Sequence, residues 1–95
     1  MNTPEPTVTC EARSGGWRCT VVVGGDSAAT THEVHVDRAI LDDLAPGASP
    51  EALVDASFRF LLEREPRESI LASFELPIIG RYFAGYPDEI RRRMG

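Results

Sequence analysis

The stretch VTCEARSGGWRCTVVV, Val8 to Val23, decides the fold. Val8, Cys10 and Ala12 fall on one side of an extended chain, and Thr7, Thr9, Glu11 and Arg13 on the other. This period of two is the mark of a half-buried strand. Past Ser14-Gly15-Gly16 the alternation resumes, with Trp17, Cys19, Val21 and Val23 set against Arg18, Thr20 and Val22. A two-residue loop at Ser14-Gly15 pairs Ala12 with Trp17 and Cys10 with Cys19. All apolar side chains then share one face, so the burial pattern fixes the register.

Working outward, the glycine-rich turn Gly24-Gly25-Asp26-Ser27 leads to a third alternating run, in which His32, Val34 and Val36 oppose Thr31, Glu33 and His35. A three-stranded antiparallel meander with one apolar face results, and such a face needs a cover. The remaining chain supplies helices. Asp37 precedes a short one carrying Ile40, Leu41 and Leu44, which stops near Pro46-Gly47. Ser49-Pro50-Glu51 combines an N-cap, a proline at the first helical position and an acid in the first turn. It opens EALVDASFRFLLERE, whose apolar arc is too wide for a helix that lies on a sheet alone, so a second helix is expected on its other flank. After Pro66, RESILASF reads as a further short helix with Ile70, Leu71 and Phe74. Pro77 and Pro87 each start one more, separated by Gly85. The tail is dense in Leu76, Ile78, Ile79, Tyr82, Phe83, Tyr86 and Ile90, which makes it structural. The expected fold is α+β: the meander followed by four to five short-to-medium helices covering one face. Residues 1–6 read as a flexible leader and 7–95 as a single domain.

The totals exclude several function classes. A chain of 95 residues with ten arginines, no lysine and fifteen acids carries a net charge of −5, which opposes general attraction to nucleic acid or anionic lipid. No apolar run reaches the roughly 18 residues of a membrane span, and MNTPEPT lacks the regions of a secretory signal. A cytoplasmic protein with reduced cysteines is therefore expected. G-x-S-x-G, P-loop, G-x-G-x-x-G and H-E-x-x-H patterns are all missing, so neither an enzyme nor a cofactor is expected.

Residues with chemical potential are few. Cys10, Cys19 and His32 share the apolar face and form the one metal-ligand candidate set, which lacks a fourth ligand and a C-x-x-C knuckle. Two core cysteines are the simpler reading. His35 and Glu33 are neighbours on the exposed face, a conceivable acid–base pair, whereas His32 and His35 point to opposite faces. The acids Asp42, Asp43, Glu51, Asp55, Glu63, Glu65 and Glu68 are interspersed with arginines, as on solvated helices. The tail IRRRMG is the only basic cluster; three arginines at a helix end suit the macrodipole better than a duplex.

Two resemblances add to this. FLLEREPRESILASFELPIIGRYFAGYPDEI, Phe60 to Ile90, resembles part of a small, functionally uncharacterised bacterial protein family, which implies a bacterial origin and no function. HEVHVDRAILDDLAPGASPEALVDASFRFLLERE, His32 to Glu65, is similar in element order to a ribbon-helix-helix module. That resemblance implies dimerisation through the strand and DNA reading by Thr31, Glu33 and His35. Against it, two strands precede the ribbon, and Asp37 to Glu75 holds nine acids against four arginines. The favoured expectation is a non-enzymatic interaction or regulatory protein that binds a protein partner or itself as a homodimer. Its contacts are expected at Phe58, Leu62, Tyr82, Phe83 and Tyr86. A ribbon-helix-helix regulator is the alternative, and a small metal or redox protein the third reading.

Overall fold

The computed structural model describes residues 5–25 and 27–95. Three strands, β1 (Pro6–Arg13), β2 (Gly16–Val23) and β3 (Thr30–Asp37), form the antiparallel meander. Its register is the one the alternation dictates: Ala12 opposes Trp17, Cys10 opposes Cys19, and Cys19 opposes Val34. Val21, Val23, Val34 and Val36 are buried on the inner face. The expected leader reaches less far than residue 6, because Pro6 opens β1 and the Glu5 carbonyl accepts the Gly24 amide at 3.3 Å. Met1 to Pro4 lie outside the described residues, as does Asp26 of the second turn.

Glycine is required at the first turn for two separate reasons. Gly15 takes a left-handed φ of 81°, which side chains with a Cβ rarely adopt. Gly16 has an ordinary φ but sits against β3, where a Cβ would fall 2.1 Å from the Val36 carbonyl oxygen. Immediately beyond, the Gly15 carbonyl accepts the Arg38 amide at 2.9 Å, so the hairpin turn fixes the start of the first helix.

That helix, α1 (Arg38–Leu44), buries Leu41 and Leu44. The longest, α2 (Pro50–Leu62), begins as its sequence demands: the Ser49 hydroxyl accepts the Ala52 amide at 3.1 Å, and Pro50 occupies the first turn. Its two apolar flanks have different partners. Phe58 meets His32 and Phe74 on the sheet side, at ring separations of 5.3 and 6.1 Å. Phe60 meets Tyr86 and Phe83 on the helical side, at 5.3 and 5.8 Å. The wide arc thus serves a sheet and a helix at once.

The helix expected in RESILASF is absent. Arg67–Ser69 makes a single 3-10 turn, after which the chain extends into β4 (Ser73–Glu75). This strand lies parallel to β3, with Ser73 beside Glu33 and Glu75 beside His35, giving a mixed four-stranded sheet in the order β1-β2-β3-β4. Apolar residues at 70, 71 and 74 fit a helical period, but Phe74 satisfies its burial in a strand beside Val34, and Ile70 is buried just after the 3-10 turn. A 3-10 turn (Leu76–Ile78), α3 (Ile79–Tyr82) and α4 (Tyr86–Met94) complete the chain, with Pro77 and Pro87 in first turns as expected. Leu76, Ile79, Tyr86 and Ile90 join the core, so the tail is structural.

Gly16→Ala is expected to lower stability by about 1–3 kcal/mol, since a backbone oxygen cannot step aside as a side chain does. Gly85→Ala, where a Cβ meets nothing within 4 Å, is expected to be near neutral. Urea unfolding midpoints of the two variants check the contrast.

Candidate functional site

Between the end of α2 and the segment running from Ser69 through α3 lies an apolar groove of about 320 Å³. Leu61 comes from the buried stripe of α2, Ile70 and Phe74 from the approach to β4, and Ile79 and Phe83 from α3 and its exit. Glu65 adds a carboxyl to the lining. Two groove residues, Leu71 and Tyr82, stay 46% and 67% exposed. These are the large hydrophobic residues left in water among the described residues.

His32 holds the Leu71 side of the groove in place. Its Nδ1 lies 2.7 Å from the Leu71 carbonyl and its Nε2 lies 2.8 Å from the Thr30 hydroxyl. A carbonyl only accepts, so Nδ1 carries a proton and donates it there; in the neutral ring Nε2 accepts from Thr30. Beside this bond the Glu33 amide donates to the Ala72 carbonyl at 2.8 Å. A side chain on the sheet and the backbone ladder therefore grip the same short segment.

The residues expected at an interaction surface divide. Tyr82 and Phe83 line the groove. Leu62 is half-buried beside the core. Phe58 and Tyr86 are buried core residues, because α2 spends them on its two packing flanks. Leu71 and Glu65 had no signal of their own. In the sequence Leu71 reads as one more apolar position of a helix, and Glu65 as one acid among many.

The metal-ligand candidates are not gathered as a ligand set. Cys10 and Cys19 are joined by a disulfide across β1 and β2, which corrects the expectation of reduced thiols. Non-hydrogen-bonded antiparallel pairs bring their side chains closest, and the hairpin register puts the two sulfurs at such a position. His32 spends both ring nitrogens on Thr30 and Leu71. On the exposed face, His35 meets Glu33 at 3.0 Å, while Arg18 lies 3.2 Å from Glu11 and 4.0 Å from Glu33. This is a solvated ladder of charges on an open sheet. The Arg13 and Arg18 guanidiniums, Arg13 foremost, hold the Glu11 carboxyl below the usual range.

The tail arginines are consumed internally. Arg91 reaches both carboxylate oxygens of Asp43 on α1 at 3.1 Å. Arg92 meets Glu89 at 2.6 Å, and Arg93 bridges Glu63, the C-cap of α2, and Glu89 at 2.6 and 2.9 Å. Arg93 is the main cause that holds Glu63 below its ordinary range, and Arg92 followed by Arg93 does the same for Glu89. The cluster pins α4 to its neighbours.

No protein-family model, curated protein or solved structure matches this chain. Function must be argued from the groove and its surroundings.

One buried polar pair sets a pH dependence. Ser57 donates to the Leu53 carbonyl at 2.8 Å, which leaves Tyr86 to donate its phenol proton to Ser57 at 2.7 Å. Burial pushes the Tyr86 phenol up to about 12, against a smaller opposing effect of the Ser57 hydrogen bond. An unfolded tyrosine ionises near 10. The contribution of the neutral phenol is therefore whole below about pH 10 and is lost as pH rises towards about 12. Urea unfolding at about pH 9 and about pH 11.5 is expected to show a loss on the order of 2 kcal/mol. Tyr86→Phe should flatten that slope while costing about 1 kcal/mol near neutrality.

The disulfide closes a short loop, and replacing both cysteines with alanine should cost about 2–3 kcal/mol. Thiol titration of the native protein purified without reductant is expected to find no free thiol.

Proposed function

We propose that this protein is a non-enzymatic interaction protein of bacterial origin that receives a protein partner, or a second copy of itself, in the groove rimmed by Leu71 and Tyr82. One observation carries the reading: an apolar groove is lined by the two large exposed hydrophobic side chains of the described residues, Leu71 and Tyr82, on an otherwise acidic and ion-paired surface. Its lining holds a single carboxylate, Glu65, with no base or second acid converging on it. That supports binding over catalysis. No helix is long and apolar enough to cross a membrane among the described residues.

A photo-crosslinking residue at position 82 tests the proposal in the native host. Protein adducts are expected from position 82 and not from position 31 on the exposed sheet face. Adducts from position 31 alone would move the surface to the sheet and sink the reading. Cytoplasmic placement belongs to the same proposal, and the Cys10–Cys19 bond weighs against it, since such bonds persist in oxidising compartments. Alkylation of thiols during lysis reports which compartment holds the chain.

The ribbon-helix-helix alternative meets an obstacle in β3. A dimer ribbon needs a free strand edge, and β3 has β2 on one side and β4 along Glu33 to His35 on the other. Glu33 also sits in the centre of the would-be reading face. Duplex DNA binding no tighter than roughly 10⁻⁵ M near physiological salt is expected. Fluorescence anisotropy with random duplex, then selection from a random pool, checks this; an enriched palindromic site would favour the alternative.

A further inference from the structure

The groove does not stand alone, because its wall is the last strand of the sheet. β4 is an edge strand, with β3 on one side and, among the described residues, no strand on the other. The Glu33 amide donates to Ala72, so in this parallel ladder residues 72, 74 and 76 turn their backbone groups towards β3. Ser73 and Glu75 then turn theirs outward. Both residues are exposed. Their N–H and C=O groups form a short template for one more strand.

Side chains alternate across β4 as well. Phe74 faces inward and lines the groove, while Ser73 and Glu75 lie on the outer face beside Glu33 and His35. A strand added to this edge would alternate in step, sending every second side chain to the groove side and the others to the Glu75 side. The groove side offers Leu71, Phe74 and Tyr82. The outer side offers a carboxylate. Glu65 in the groove and Glu75 on the edge have no ion-pair partner among the described residues, whereas Glu33, the neighbour of Ser73 across the β3–β4 ladder, is paired with His35.

We infer that the groove and the β4 edge together form one site for an extended segment of a partner protein that alternates apolar with basic residues. It pairs with Ser73 and Glu75 by main-chain hydrogen bonds, seats an apolar side chain between Leu71 and Tyr82, and sets arginine or lysine opposite Glu75. Backbone pairing supplies affinity, and the apolar and charged positions supply selectivity. This rests on the groove being an interaction surface and adds the shape and charge of what enters it.

The probes are short synthetic peptides observed by NMR chemical shifts and fluorescence anisotropy against the full chain. A peptide alternating leucine with arginine is expected to shift Leu71, Ser73, Glu75 and Tyr82. The same peptide alternating leucine with glutamate should bind about tenfold more weakly, and so should the arginine peptide with alternate backbone amides methylated. Glu75→Arg should exchange the preference between the two charge patterns, a reversal that a loss of folding cannot produce. Equal binding of the methylated peptide would overturn strand pairing while leaving the groove a binding surface. Absence of any shift at Leu71 or Tyr82 with every peptide would overturn the inference. Crosslinks at position 82 would then decide separately whether the groove reading survives. Concentration-dependent self-association that fills the β4 edge and excludes the peptides would likewise overturn it, in favour of a second copy as occupant.

Discussion

Three residues of parallel pairing tie the wall of the groove to the sheet. The antiparallel meander forms from neighbouring segments, and the helices follow it in sequence. Only at Ser73–Glu75 does the chain return from the helical half to lie along β3. His32 reinforces that return from the sheet side through its bond to the Leu71 carbonyl, and Phe58 wedges between the His32 ring and Phe74. Take away this contact and α2 keeps its place over the sheet, but the segment that walls the groove has nothing to lie against. The groove, the exposure of Leu71 and the occupied edge of β3 all follow from it.

Burial of the inner face follows a second constraint, the close approach at the first turn. Gly16 touches the end of β3 so tightly that no side chain fits, and the same turn accepts the first amide of α1. The sheet register and the direction of the first helix are thereby set at one point. Elsewhere the surface is closed by charge. Arg91 and Arg93 cross from α4 to Asp43 on α1 and to Glu63 at the end of α2, so a stretch that reads as a basic patch is electrostatically spent inside the molecule. Exposed pairs of this kind contribute little stability each. Their larger effect is to tie α4 to α1 and to the end of α2.

Most of the architecture was legible where a period was long enough to read. Eight-residue strands with strict alternation announced β1, β2 and β3 together with their register. Ser49-Pro50 marked the start of α2, and Pro77 and Pro87 marked the later turns. β4 was not legible, since three residues carry no period and Ile70, Leu71 and Phe74 suit a helix equally well. Spacing placed Cys10 beside Cys19 but carries no information on whether two adjacent thiols are joined. Aromatic residues posed a similar ambiguity. Phe58 and Tyr86 share composition and setting with Tyr82 and Phe83, and only the packing of α2 against both sheet and α4 decides which pair is internal. The groove drew on residues from three separated segments, a convergence that no local pattern reports.

The parallel strand also bears on how the chain assembles. His32 and Leu71 stand 39 positions apart, whereas the hairpins close over a few residues. Loop-closure entropy makes the distant pairing costlier to close than either hairpin. The β3–β4 seam is a three-residue ladder at a sheet edge, against eight paired residues between β1 and β2, so less main-chain pairing opposes its local opening. The wall of the groove is thus joined to the sheet by its shortest and most sequence-distant pairing.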